Sequence, residues 1–134
     1  MGLDMFVYAK KTDLADDVQV DFDIDYDWDR DEICYWRKHP NLHGWMFDLY
    51  LQKGGQSSEG FNGDTLRLNH EDVNALEKAI IDDELPNTSG FFFGHSPQKD
   101  DDYYEQAKSN DFECVKKIRD ALDAGLTVWY NSSW

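Results

Sequence analysis

The chain predicts an α+β fold, a small and mainly antiparallel sheet covered by three to four helices in a single domain. Three observations carry this. Leu42, Trp45, Met46, Leu49 and Tyr50 recur at the i, i+3, i+4, i+7, i+8 spacing of an amphipathic helix. Short runs rich in β-branched and aromatic residues stand at Leu3–Ala9, Thr65–Leu68 and Leu126–Tyr130, separated by helical stretches. A length of 134 residues suits one domain, and 15% aromatic content supplies core area without disulfides or metal.

In chain order, Leu3, Met5 and Val7 are the core-facing residues of a first strand that Lys10 and Lys11 end. From Val18 to Asp31, apolar and acidic residues alternate. Val20, Phe22, Ile24, Tyr26 and Trp28 fall on one face of an extended segment, and Asp21, Asp23, Asp25, Asp27, Asp29 and Asp31 on the other. Three readings compete for this stretch. It is an edge strand or loop whose charge blocks aggregation, a multivalent-cation site without the glycine turn of an EF-hand, or an acidic row that meets a basic protein.

The spacing of Ile33, Trp36 and Pro40 then predicts a helix over Asp31–His39, with Asp29, Asp31 and Glu32 favoured near its start by the helix dipole. Pro40 ends it and opens a second helix carrying the Leu42–Tyr50 stripe. Gly54-Gly55 stops that helix, Gln56–Gly60 is a surface loop, and Asn62-Gly63 marks a turn. Asn69 caps the next helix with Asp72 as capping-box acid; Val73, Leu76, Ile80 and Ile81 line its inner face, and Pro86 ends it. Asn87–Gly90 turns into a strand of three phenylalanines, Phe91-Phe92-Phe93. His95–Asp102 is a polar loop leading to a short helix through Tyr103 and Tyr104. Ser109 or Asn110 caps the last helix, with Phe112, Val115, Ile118 and Leu122 on its buried stripe and Gly125 as its C-cap. Cys34 and Cys114 fall in helix-like segments and read as reduced thiols of a cytosolic protein.

Charge narrows the function. Asp and Glu number 28 against 13 Lys and Arg, a net charge of -15, which repels nucleic-acid backbone and anionic lipid. Neither direct nucleic-acid binding nor membrane association is expected. No apolar run reaches the length of a membrane span, and the Met1-Gly2 start fails as a myristoylation signal because Phe6 stands where Ser or Thr is required.

Against that field, Arg37, Lys38, His39 and His43 are packed among Tyr35, Trp36 and Trp45. Cations beside flat rings suit a planar anion such as a nucleotide, so these seven are the candidate ligand site. The plainer reading makes the tryptophans core residues and the cations a solvated helix face. The alternative function is an acidic interaction protein that presents Asp21, Asp23, Asp25, Asp27 and Asp29 to a basic host factor. The sequence is compatible with a homo-oligomer in either case.

Signals for catalysis or a cofactor are weak. His39 and His43 are four apart, but no Glu follows His39 and Pro40 interrupts the helix between them, so neither a metal site nor a cofactor is expected. His70 and His95 sit at a helix start and in a loop. Neither cysteine has catalytic flanks, and no nucleophile elbow or phosphate-binding glycine loop occurs.

Gly2-Leu3-Asp4-Met5, then Glu32 with Tyr35-Trp36-Arg37-Lys38, His43 and Trp45, Gly90-Phe91-Phe92-Phe93-Gly94, and the ending on Ser and Trp after Val128-Trp129-Tyr130 resemble a family of small acidic proteins of bacteriophages and mobile elements. Pro40 departs from that pattern. The resemblance implies an accessory product working in host cytoplasm by binding: inhibiting a host factor, mimicking nucleic acid, or sequestering an immune signal nucleotide.

Overall fold

Strand β1 (Asp4–Lys10) alternates buried and half-buried residues along its length, as a strand with one face on a core does. A computed structural model of the protein describes residues 2–23, 30–57, 59–90 and 93–134. The fold is α+β, and the described residues form a four-stranded antiparallel sheet in the order β2-β1-β4-β3 and three helices. The other elements are β2 (Asp31–Arg37), α1 (Pro40–Gln52), β3 (Leu66–Leu68), α2 (His70–Ile81), α3 (Tyr104–Asp123) and β4 (Thr127–Ser133).

One sheet face carries Met5, Val7, Cys34, Trp36, Leu66, Leu68, Val128 and Tyr130 into the core. Leu42, Met46 and Tyr50 of α1 and Val115 and Ile118 of α3 join them there. The opposite face is partly covered by the stretch after β1. Phe22 meets the buried Trp129 edge-on, and Arg67 Nη1 donates to the carbonyls of Ala15 and Val18. Val20 forms an isolated bridge to Leu66.

The predicted helix over Asp31–His39 is instead strand β2. Cys34 and Trp36 are buried while Tyr35 and Arg37 are exposed, a period of two that only a strand gives. The last helix starts at Tyr104, not at Ser109 or Asn110, so the short helix and the main one are continuous. Of the triple phenylalanine strand, Phe91 and Phe92 lie outside the described residues, and Phe93 is a buried turn residue.

The three helices end alike. Each has a residue of positive φ just beyond its last turn, with the next N–H bonded back to the chain five residues earlier. Gly54 and Gly125 serve α1 and α3, but Asp83, at φ 53, serves α2, so that helix stops before Pro86 and leaves Ile81 exposed. At the start of α2, the Asn69–Asp72 capping box is formed from both sides.

The 86–90 segment is clamped onto α1. Thr88 N–H donates to Asn41 Oδ1 at 2.9 Å, and a Cβ on Gly44 would lie 1.9 Å from Thr88 Oγ1. Gly44→Ala is therefore expected to destabilise the fold by about 1–3 kcal/mol through overpacking. Adding Thr88→Ala should recover part of that loss in urea denaturation.

Candidate ligand groove between β2 and α3

Because β2 is a strand, it sends its successive side chains to opposite faces, and the predicted cluster divides. Tyr35 and Arg37 lie on the outer face and meet Asp4 across the β1 register. Arg37 Nη1 donates to Asp4 Oδ1 at 2.8 Å, and the Tyr35 hydroxyl donates to the same oxygen at 2.6 Å. The Tyr35 hydrogen bond, with Arg37 beside it, holds the Asp4 carboxyl below its usual range.

On the inner face, the Trp36 indole N–H donates to Asp111 Oδ1 at 2.9 Å. The other Asp111 oxygen meets His39 Nε2 at 3.2 Å, and His39 Nδ1 lies 3.0 Å from Ser96 Oγ. Ser96 Oγ also accepts the Asn41 N–H at 2.9 Å, which caps the first turn of α1 from outside the helix. Asp, His and Ser thus stand in the order of an acyl-transfer relay. The serine is only 4% exposed and its hydroxyl is committed to a helix cap, so the row of bonds fastens loop, corner and helix together.

His43 and Trp45 do not join this site. His43 is buried on α1, shares a 2.6 Å hydrogen bond with the Tyr130 hydroxyl, and packs against Phe61 and Phe93. Trp45 is partly buried against the core. Both stand apart from the β2–α3 hollow, because Pro40 starts α1 directly after the corner and carries them away from it.

The other five candidates, from both faces of the strand end and from the corner, border a hollow of about 590 Å³ along the edge of β2 beside α3, well within the size range of ligand pockets. Lys38 is an exposed cation of its lining, at the corner. Its backbone takes the left-handed conformation at φ 55, and its N–H donates to Leu3 O at 2.8 Å. Its side chain runs between two glycines. A Cβ on Gly94 would fall 3.0 Å from Lys38 Cδ, and one on Gly2 3.2 Å from Lys38 Cε. Among the described residues its ammonium has no hydrogen-bond or ion-pair partner.

His95, Tyr103 and Lys117 also line the hollow, and sequence reasoning missed them as site residues. Tyr103, Ala107, Asn110, Asp111, Cys114 and Lys117 share one face at helical spacing. That face becomes legible once α3 is extended back to Tyr104. Cys34 and Cys114 are free buried thiols at the groove floor, and the neighbouring Cys114 thiol together with burial pushes the Cys34 thiol up.

Comparison with protein-family models, with curated proteins and with solved structures finds no match. Segments distant in the sequence meet around this corner. Gly2 and Gly94 flank Lys38, Asp4 holds Arg37, and Phe93 contacts both His43 and Trp134 at ring separations of 5.2 and 5.1 Å.

Of the acidic row, Asp21 is committed internally, accepting the Tyr50 hydroxyl and the Gln56 N–H. Asp23 is exposed, while Asp25, Asp27 and Asp29 lie outside the described residues. Among the described residues, no group of three His, Cys, Asp or Glu side chains is placed to hold a metal ion, and no helix is long and apolar enough to cross a membrane.

Burial lowers the His43 pKa to about 4 from 6.5. The unfolded chain takes up this proton near pH 6.5 and the folded one resists it, so stability is untouched above pH 6.5 and falls as pH drops toward 4. The difference between the two values corresponds to about 3 kcal/mol. Urea denaturation at pH 7 and at roughly pH 4.5 is expected to show a smaller acid loss in His43→Gln than in the parent protein.

Proposed function

We propose that this is a non-catalytic binding protein and that the β2–α3 groove holds an anionic ligand. The observation that carries the reading is the unpartnered Lys38 ammonium, fixed by a strained backbone and two flanking glycines at the mouth of a ligand-sized hollow. Lys11, Lys116 and Lys117 likewise have no acidic partner among the described residues; what sets Lys38 apart is its left-handed backbone and its place between two glycines on the groove wall. A left-handed non-glycine residue costs about 1–3 kcal/mol and persists where its surroundings enforce it.

Along the groove, basic and acidic side chains balance instead of acids prevailing. Arg37, Lys38 and Lys117 face Asp111 and Glu113 along its walls, and Asp111 is already bonded to Trp36 and His39. Bulk salt screens the more distant acids over about 8–10 Å, whereas a charge-assisted hydrogen bond to Lys38 contributes about 1.5–3 kcal/mol. For the nucleotide-like ligand expected from the sequence, the phosphate meets Lys38 and the base has Tyr103 as its open ring. Trp36 is nearly closed and Tyr35 is turned toward Asp4.

AMP is the first probe. Thermal unfolding of the parent protein is expected to shift upward with AMP, and the shift should be lost in Lys38→Ala and largely kept in Lys38→Arg. Equal shifts in the parent protein and Lys38→Ala, or no shift with AMP and with glutarate, would remove the assignment.

A further inference from the structure

Among the described residues, strand β2 is an edge strand, with β1 as its one hydrogen-bonded neighbour. Among the described residues, no backbone group pairs with the outward N–H and C=O groups of residues 34–37. An open edge of this kind is a template for another strand. Its N-terminal half is protected. The register steps from Val7↔Cys34 to Tyr8↔Glu32, which leaves Ile33 as a bulge, and the exposed acids Asp31 and Glu32 lie beyond it. The regular, unprotected edge is therefore confined to the part that faces the groove.

The two walls match in length and run antiparallel. One wall is the unbroken run Ile33 to Lys38, five residue steps or about 17 Å of strand. The other is the α3 face from Tyr103 to Lys117, fourteen steps or about 21 Å at helical rise. Trp36 is tied to Asp111, and the Cys34 thiol lies 3.7 Å from the Cys114 carbonyl, which fixes that antiparallel order. A trough with a free strand edge on one side and a helix face on the other matches the way extended peptides are recognised. Main-chain bonds to the edge give affinity, and alternate side chains enter the trough. A compact ligand leaves those edge groups unused.

Charge sets the chemistry of one end. Arg37 is held by Asp4, whereas Lys38 and Lys117 have no ion-pair partner among the described residues. Of these two, Lys38 directly follows the open strand edge, just beyond Arg37. We infer that the groove's occupant is an extended peptide segment of a partner protein. It adds to residues 34–37 as a fifth strand and places a carboxylate on Lys38, from an acidic side chain or from the partner's own C-terminus. This rests on the groove being the anion site and names a peptide, rather than a free nucleotide, as its ligand.

A displayed heptapeptide library, with internal and free C-terminal formats, selected against the full-length protein tests this, followed by synthesis of the best binder. Selected peptides are expected to share a carboxylate at one position, and amidating the C-terminus tells the two sources apart. Affinity should fall about tenfold or more on Lys38→Glu, on filling the trough with Ala107→Trp, and on N-methylating the peptide amides that would face β2. Amide hydrogens of residues 34–37 should gain exchange protection when the peptide is bound. The inference is overturned by selected peptides indifferent to both N-methylation and Lys38→Glu. It is also overturned if no peptide is selected while AMP still binds through Lys38, and in that case the anion site itself stands. Failure of peptide and AMP together removes both.

Discussion

The carboxylate of Asp111 is the fastening on which the site depends. It is buried on α3 and receives the Trp36 indole from β2 and His39 from the β2–α1 corner. A buried carboxylate without donors costs several kcal/mol, so the folded protein must keep both donors in place. Through His39, the same fastening reaches Ser96 and the first turn of α1. One acid thereby sets where the helix lies against the edge strand and where the corner releases Lys38. The groove is the space left beside these bonds.

That arrangement gives a physical sense to the protein's lopsided charge. Most basic side chains with a described partner are tied to acids, as in Lys53 with Asp72 or Lys108 with Asp83. The Asp83 carboxyl, bonded by Tyr104 and Lys108, is held down to about 2. Lys38 lies between Gly2 and Gly94 and has no ion-pair partner among the described residues. The proposed anion site rests on an unpaired cation rather than on a large positive patch.

The parts legible in the sequence were those set by local chemistry. The Asn69–Asp72 capping box, the Leu42–Tyr50 stripe and the glycines after α1 and α3 act through neighbours a few residues away. Strand β2 was not legible as a strand, because Ile33, Trp36 and Pro40 imitate helical spacing. The bulge at Ile33 leaves only residues 34–37 with a clean alternation. The end of α2 escaped for a related reason, since Asp83 takes the left-handed place that a glycine would have advertised. Of the seven predicted ligand residues, Tyr35 to His39 reach the groove because they form one continuous strand end and corner. His95, Tyr103 and Lys117 come from distant segments that only the tertiary packing of α3 brings across from β2.

The groove exists only while Asp111 pins β2 to α3, and hydrogen exchange of the Trp36 indole N–H, assigned by its absence in Trp36→Phe, measures that contact directly. The expected result is exchange as slow as that of the core amides of β1, with protection lost in Asp111→Ala. Exchange in the parent protein as fast as that of a solvent-exposed indole would contradict it.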